Sequence, residues 1–369
     1  MMDERITRIP WRLVQNQIRS PGGYMMDVFR GRPDPKDIPN GSEAWVGSVT
    51  KANGATEACP NFGCSEVMLP DGSKRYLFEL IAAAPEHILG KAHMEKYGME
   101  LGMLVKLLDA KNMYFLQCHP TREAAMRLWN SKYGKEECWY VIAVRENQPE
   151  PPYILLGFKE GITAEKFAHL YHTAELRDLE ALCHKITVKP GEAYFVPGGC
   201  PHALGAGCFV AEIQEPSDLG AIAIPQSELI DYRRKAAPGA VFTPIDEALY
   251  EKRTLGSFIY EGASREQILD RCISHQPVIR KGDGYEERSI FDHSYSAYFS
   301  CSLCTVDGGR MPYENADSVT IGIVLDGSGI IRFPGGELEI HQGDELFFPF
   351  HTTDAVMEGK FTMILCRPG

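Results

Sequence analysis

A mainly β protein, built as two antiparallel jelly-roll barrels with helical segments between and around them, is what this sequence predicts. Three observations carry that expectation: an internal echo of one turn-and-strand pattern, short apolar runs bounded by glycine and proline, and helical periodicity confined to a few stretches. The echo is the strongest. Residues 191–203 read GEAYFVPGGCPHA and residues 343–355 read GDELFFPFHTTDA. Each copy has glycine and an acid, an aromatic-rich strand, then proline, with Pro197 matching Pro349. KITVKPG stands before the first copy and LEIHQGD before the second. Jelly rolls use such a turn to feed a strand whose far end can carry ligands. The copies differ five residues past the shared proline, where the first has His202 and the second Asp354. A ligand-bearing first unit and a structural second unit follow.

The echo sets the expected boundaries. A first unit covers residues 1–220, a mainly helical connecting segment 221–285, and a second unit 286–369. In the first unit, residues 91–107 read as helix running into a strand at MYFLQ (113–117). ECWYVIAV (137–144) and PYILLGF (152–158) read as strands. Residues 163–186 read as one helix, with Thr163 as N-cap and Phe167, Leu170, Leu176, Leu179 and Leu182 at three- and four-residue steps. His169 and His172 fall on its surface. In the connecting segment, SELIDYRRKA and SREQILDRCI read as helices.

Composition excludes several functions. The 369 residues are 44% hydrophobic and 24% charged, with a net charge of −12. Nucleic-acid binding needs a basic surface, and the one basic cluster here is Arg233-Arg234-Lys235. Eleven cysteines, an odd number in a chain this long, predict reduced thiols in a cytoplasmic setting. The opening MMDERITRIPWRLV lacks the apolar core of a signal peptide, and no run approaches the roughly 20 apolar residues of a membrane span. The expected partner is a small molecule, with no nucleic acid and no membrane. The oligomeric state is left open.

The stretch MYFLQCHP carries chemistry. Side chains alternate along a strand, so Gln117 and His119 share one face and Cys118 takes the other. Alone, that describes a core histidine satisfied by an amide more readily than it describes a ligand pair. With Glu137 and His202, the first unit collects imidazole, carboxylate and amide oxygen. Such a set suits a borderline divalent ion, zinc above all, with manganese, cobalt or iron as alternatives. A site without thiolates keeps a position open for water or substrate, as catalytic zinc requires. Cys200, two residues before His202, is a further candidate ligand.

Three blocks now stand together: QCHP (117–120), GKEECWY (134–140) and VPGGCPHALGAGCFVAEIQEPSD (196–218). In order and spacing they resemble the signature blocks of class I mannose-6-phosphate isomerases, Q-x-H-P, G-K-T-E-x-W-Y, and I-P-A-G-x-x-H-A-x-G followed by E-I-Q-x-x-S-D. GMLVKLLDAKNM (102–113) is similar to that family's P-L-L-x-K-x-L-D-A. The resemblance implies a two-cupin protein holding zinc through Gln117, His119, Glu137 and His202. It also implies an aldose–ketose isomerase, moving a proton between C1 and C2 through a cis-enediol to interconvert mannose 6-phosphate and fructose 6-phosphate. Lys106 corresponds to a family lysine at the pocket, where it would bind phosphate or the enediolate. From the residues alone, a surface lysine between helix and strand is the lesser alternative. Glu212 matches a carboxylate proposed as the base, or else serves as a partner of His202.

The match breaks after Ser217-Asp218. The family continues T-T-Y-R-V-Y-D, with an arginine regarded as essential; here LGAIAIP puts Ile222 in that slot. An isoleucine holds no anion, and three consequences stay open. A basic residue substitutes from elsewhere: Arg233, Arg234, Arg30 or Arg32. The substrate is instead another sugar, unphosphorylated or with a different anionic group. Or the protein is a metal- and sugar-binding cupin without turnover.

Overall fold

The computed structural model describes residues 8–69, 71–173, 175–236, 244–315 and 317–369. Its strands form three sheets. One runs, in spatial order, Ala193–Val196, Glu137–Val144, Cys208–Gln214, Leu104–Asp109, Glu43–Val46 and Gln17–Ile18. A second runs Cys183–Thr187, Tyr153–Phe158, His202–Leu204, Gln117–Cys118 and Ala221–Ile222. These two pack across a shared core that includes Leu108, Trp139, Val141, Leu156 and Leu204. The third sheet has ten strands, most of them from the last hundred residues. The mainly β expectation is met, with sheets that stay open rather than closing into barrels. The strand Trp11–Leu13, far away in sequence, pairs with Glu345–Phe348 in the third sheet.

Both copies of the echo have the same local structure. Gly191 and Gly343 sit at φ +89° and +85°, a left-handed turn that a side chain would disfavour. Each feeds a fully buried four-residue strand, Ala193–Val196 and Glu345–Phe348. Beyond the second strand Asp354 is exposed, and the interior is filled by Val324, Ile331, Ile340, Phe348, Met357 and Met363.

Three sequence expectations are corrected. The helix expected through residue 107 is Lys91–Tyr97. Gly98 and Gly102, at φ +63° and +73°, stop it, and Leu104–Asp109 is a fully buried central strand. Lys106 is therefore an interior residue, not a surface lysine. The strand expected at 113–117 pairs only at Gln117–Cys118, while Met113, Tyr114 and Phe115 line a cavity wall. The single helix expected over 163–186 is Ala164–Thr173 and Leu176–Glu180, followed by the strand Cys183–Thr187. Pairing with Tyr153–Phe158 overrides helical periodicity there. Thr163 does cap its helix, its Oγ1 accepting from the Lys166 N–H at 3.2 Å, and His169 and His172 are exposed. Gln226–Ala236 and Arg265–Cys272 are helices as expected, the second closed by a capping box from Ser264 and Gln267. Among the described residues no helix is long and apolar enough to cross a membrane.

The first and last units share one core. Trp11 stacks on Phe347 with ring centroids 5.4 Å apart, and Cys138 Sγ lies 3.9 Å from Cys301 Sγ. Arg30 and Glu345 form an ion pair in which both side chains are almost wholly buried. Arg30 is thereby removed from the candidates for binding a ligand anion. Arg30→Ala leaves the Glu345 charge buried and unpaired, and should destabilise by about 3–5 kcal/mol in denaturant unfolding. Arg30→Met with Glu345→Leu should recover most of that loss; failure of the pair to recover it contradicts the ion-pair account.

Candidate metal centre and cavity

Two rows of side chains, one on each of the facing sheets, build the site. In the first sheet Trp45, Lys106, Glu212, Trp139 and Tyr194 are successive cross-strand partners. They therefore project from one face. Glu137 lies two residues before Trp139 on the same strand and shares that face. In the second sheet Leu156, His202, Gln117 and Ile222 are successive partners. His119 follows Gln117 by two. A Cβ built on Gly220 would lie 3.9 Å from both Gln117 Oε1 and His119 Nδ1, so the two side chains border the same space. The strand reading of QCHP is correct here, short as the strand is.

His119, Glu137 and His202 meet between the sheets. Their ligand atoms lie within 4.8 Å of one another, and all three side chains are buried. His119 Nε2 is 3.1 Å from Glu137 Oε2, and His202 Nε2 is 3.4 Å from Glu137 Oε1. His202 Nδ1 donates to the Cys200 carbonyl at 2.9 Å, which leaves Nε2 as the lone-pair nitrogen on the Glu137 side. Cys200 thus orients a histidine through its backbone, and its thiol is outside the cluster. The Gly199 N–H, in turn, holds the His119 carbonyl at 2.6 Å.

The electrostatics suit a cation. Burial, and next the Lys135 ammonium, push His119 down to about 3. Burial lowers His202 as well. Both imidazoles are neutral, as metal ligation requires. Burial alone would raise the Glu137 carboxyl, yet Lys135, His119 and His202 hold it well below the usual carboxylate range. Both Glu137 oxygens, His202 Nε2 and His119 Nδ1 are buried without a hydrogen bond. Orphaned polar atoms of this kind cost about 1–3 kcal/mol each, so the donor set fits a divalent ion. Lys135 Nζ stands 2.6 Å from His119 Nε2 and 3.1 Å from Glu137 Oε2, supplying positive charge to the carboxylate.

A cavity of about 800 Å³ opens beside these residues, with Gln117, His119 and Lys135 in its wall. Lys106 and Glu212 line it too. Lys106 Nζ donates to Glu212 Oε1 at 2.8 Å, and Trp139 Nε1 donates to Glu212 Oε2 at 3.1 Å. The Glu212 oxygens are thus engaged by Lys106 and Trp139, while His202 is held from Cys200. Burial works against the Lys106 charge, but Glu212, Glu43 and Asp218 raise its pKa overall. Arg19 grips Asp218 through two hydrogen bonds, of 3.3 and 2.8 Å, and Asp218 also accepts from the Asn53 N–H at 2.7 Å.

Ile222 lines the cavity beside its strand partner Gln117, so the slot noted in the sequence does face the site. Of the arginines offered as substitutes, Arg233, itself exposed, lines the cavity. Arg234 is exposed with its guanidinium 3.8 Å from Asp231, Arg32 pairs with Asp27 at 2.8 Å, and Arg30 is held by Glu345. Sequence reasoning missed Lys135 and Arg19. Lys135 stands inside the GKEE block, two residues before Glu137, a position that could have been singled out. Arg19 meets Asp218 across 199 residues, and no local pattern signals that.

The comparisons with known proteins agree with this geometry. A family model described as "Mannose-6-phosphate isomerase, cupin domain" matches residues 290–368. A mannose-6-phosphate isomerase of Streptococcus mutans serotype c is 34% identical over 247 residues, spanning 67% of this chain and 68% of that protein. The crystal structure of the mannose 6-phosphate isomerase from Bacillus subtilis superposes with a TM-score of 0.73 at 22% identity, covering 97% of this chain and 99% of the other. A mannose 6-phosphate isomerase crystallised with zinc and yttrium superposes with a TM-score of 0.69 at 16% identity, covering 97% and 99%.

Two outcomes test the centre. His202→Ala should cut divalent metal content several-fold by elemental analysis of the folded protein; full retention contradicts the donor assignment. In the metal-free protein, the unfolded chain protonates His119 below about 6.5 while the folded chain resists down to about 3. Stability should therefore fall as pH drops through that window. His119→Gln should shrink the loss of urea midpoint between about pH 7 and about pH 4; an undiminished loss counts against it.

Proposed function

The chain belongs to the mannose-6-phosphate isomerase family, and on that footing we propose that it interconverts mannose 6-phosphate and fructose 6-phosphate with a zinc ion held by Gln117, His119, Glu137 and His202. The supporting observation is a single juxtaposition. The buried His119–Glu137–His202 cluster, with its unsatisfied donor atoms, adjoins the same cavity as the buried Lys106–Glu212 pair.

The reaction moves a proton from C2 of the open-chain aldose to C1 through a cis-enediol. Glu212 is the base that takes and returns it, a role that a positioned, buried carboxylate at the cavity wall can fill. Trp139 and Lys106 fix the orientation of its carboxylate through the two hydrogen bonds at its oxygens. Lys106 remains an ammonium because Glu212 and its neighbours offset the effect of burial. It therefore offers positive charge to an enediolate oxygen nearby. When bound, the divalent ion supplies further positive charge at the C1 or C2 oxygen, the chemistry for which neutral imidazoles and one carboxylate are suited. Burial of Lys106, Glu212, Glu137 and the two histidines lowers the local dielectric and strengthens each of these interactions.

Protein loaded with zinc, and separately with manganese or cobalt, should turn over mannose 6-phosphate in a coupled assay. Glu212→Gln should then lower kcat by on the order of 10²- to 10⁴-fold with bound metal unchanged. No turnover by metal-loaded wild type, or a Glu212→Gln variant with full kcat, would overturn the assignment.

A further inference from the structure

An indole stands at each end of the Lys106–Glu212 ion pair, because Trp45, Lys106, Glu212 and Trp139 are partners in one cross-strand row. Trp139 donates its Nε1–H to Glu212. Trp45 meets the other member: Lys106 Nζ lies over its ring, 5.2 Å from the centroid and within cation–π range. Trp45 is fully buried and is not one of the residues lining the cavity, so any effect on a ligand passes through its neighbours. Its ring is well fixed. The Nε1–H donates to Glu43 Oε2 at 3.1 Å, the Arg19 guanidinium carbon lies 5.3 Å from the centroid, and a Cβ built on Gly63 would come within 3.0 Å of Cε3.

We propose that Trp45 is a positioning residue for the isomerisation, holding the Lys106 ammonium in place while Glu212 carries the substrate proton. A lysine stem is flexible, and a hydrogen bond to Glu212 alone does not fix the ammonium at its end. That bond also weakens when it is most needed. Once Glu212 takes the proton from C2 its charge is gone, whereas the π face of Trp45 is unchanged. Glu43 and Asp218 attract the ammonium as well, but Glu43 accepts from Trp45, and Asp218 accepts from Arg19 and the Asn53 N–H. Arg19, over the same ring, opposes the ammonium. Away from water a cation–π contact is at its strongest, and both partners here are buried. The role in turnover rests on the isomerase reading; the contact with Lys106 does not.

Two replacements separate this role from packing. Trp45→Leu and Trp45→Phe both vacate space in the same buried pocket, but only phenylalanine keeps a π face. In the metal-loaded enzyme Trp45→Leu should lower kcat for mannose 6-phosphate by roughly 3- to 30-fold with KM little changed, and Trp45→Phe should recover most of that loss. In a Lys106→Met background the leucine and phenylalanine variants should have equal kcat, because the group they act through is gone. A second measurement needs no turnover. In protein labelled at lysine 13Cε, the Lys106 methylene signal, assigned with Lys106→Arg, should lie upfield through shielding by the indole. It should lose that displacement in Trp45→Leu and part of it in Trp45→Phe. Wild-type kcat in Trp45→Leu, or equal losses in the two variants, overturns the positioning role. A Lys106 signal placed like that of an exposed lysine in wild type overturns the contact itself, whether or not the leucine variant folds. A shielded signal in a protein that isomerises no sugar would uphold the contact and overturn the isomerase reading.

Discussion

A carboxylate with no exposed surface governs this structure. Glu137 lies at the start of a central strand, with both oxygens out of reach of water and without a hydrogen bond. Left alone, a buried carboxylate costs several kcal/mol and would protonate instead. Here the Lys135 ammonium and two imidazoles surround it and keep it ionised. Two sheets must face one another for that to happen. Glu137 comes from one, His202 from the other, and His119 from the chain just beyond the strand Gln117–Cys118.

Sheet register converts that requirement into the layout of one cavity wall. Trp45, Lys106, Glu212 and Trp139 stand on four neighbouring strands and are partners in one row, so a slip by one residue would turn them to the other face. The Lys106–Glu212 pair is therefore as fixed as the backbone pairing beneath it. The C-terminal unit supports this arrangement rather than repeating it. Its interior is apolar, Asp354 is exposed where the first copy has His202, and its strand Glu345–Phe348 is bonded to the N-terminal strand Trp11–Leu13.

The sequence marked more of the candidate site than of the frame. Gln117 and His119 were legible because a two-residue spacing has one meaning on a strand, and Glu137 and His202 because the echo and the motif blocks marked them. Lys106 was placed on the wrong kind of element, since VKLL suits a helix as readily as a buried strand and only pairing on both sides decides it. Arg30 looked like a free cation until its partner appeared 315 residues away. The adjacent arginines 233 and 234 could not be told apart without knowing how their helix sits on the cavity. In each case the missing information is a contact distant in sequence, which local periodicity does not encode.

The central claim is that oxygen and nitrogen donors around Glu137 hold a divalent ion that the cavity's ligand can reach. Cobalt substitution tests it most directly, because the visible spectrum of cobalt reports both its ligands and changes at an open position. The account predicts one cobalt per chain, visible bands without the near-ultraviolet thiolate charge transfer that Cys200 would contribute, and a shift of those bands on adding mannose 6-phosphate. A protein that binds no cobalt, or one whose spectrum carries the thiolate band, would contradict it.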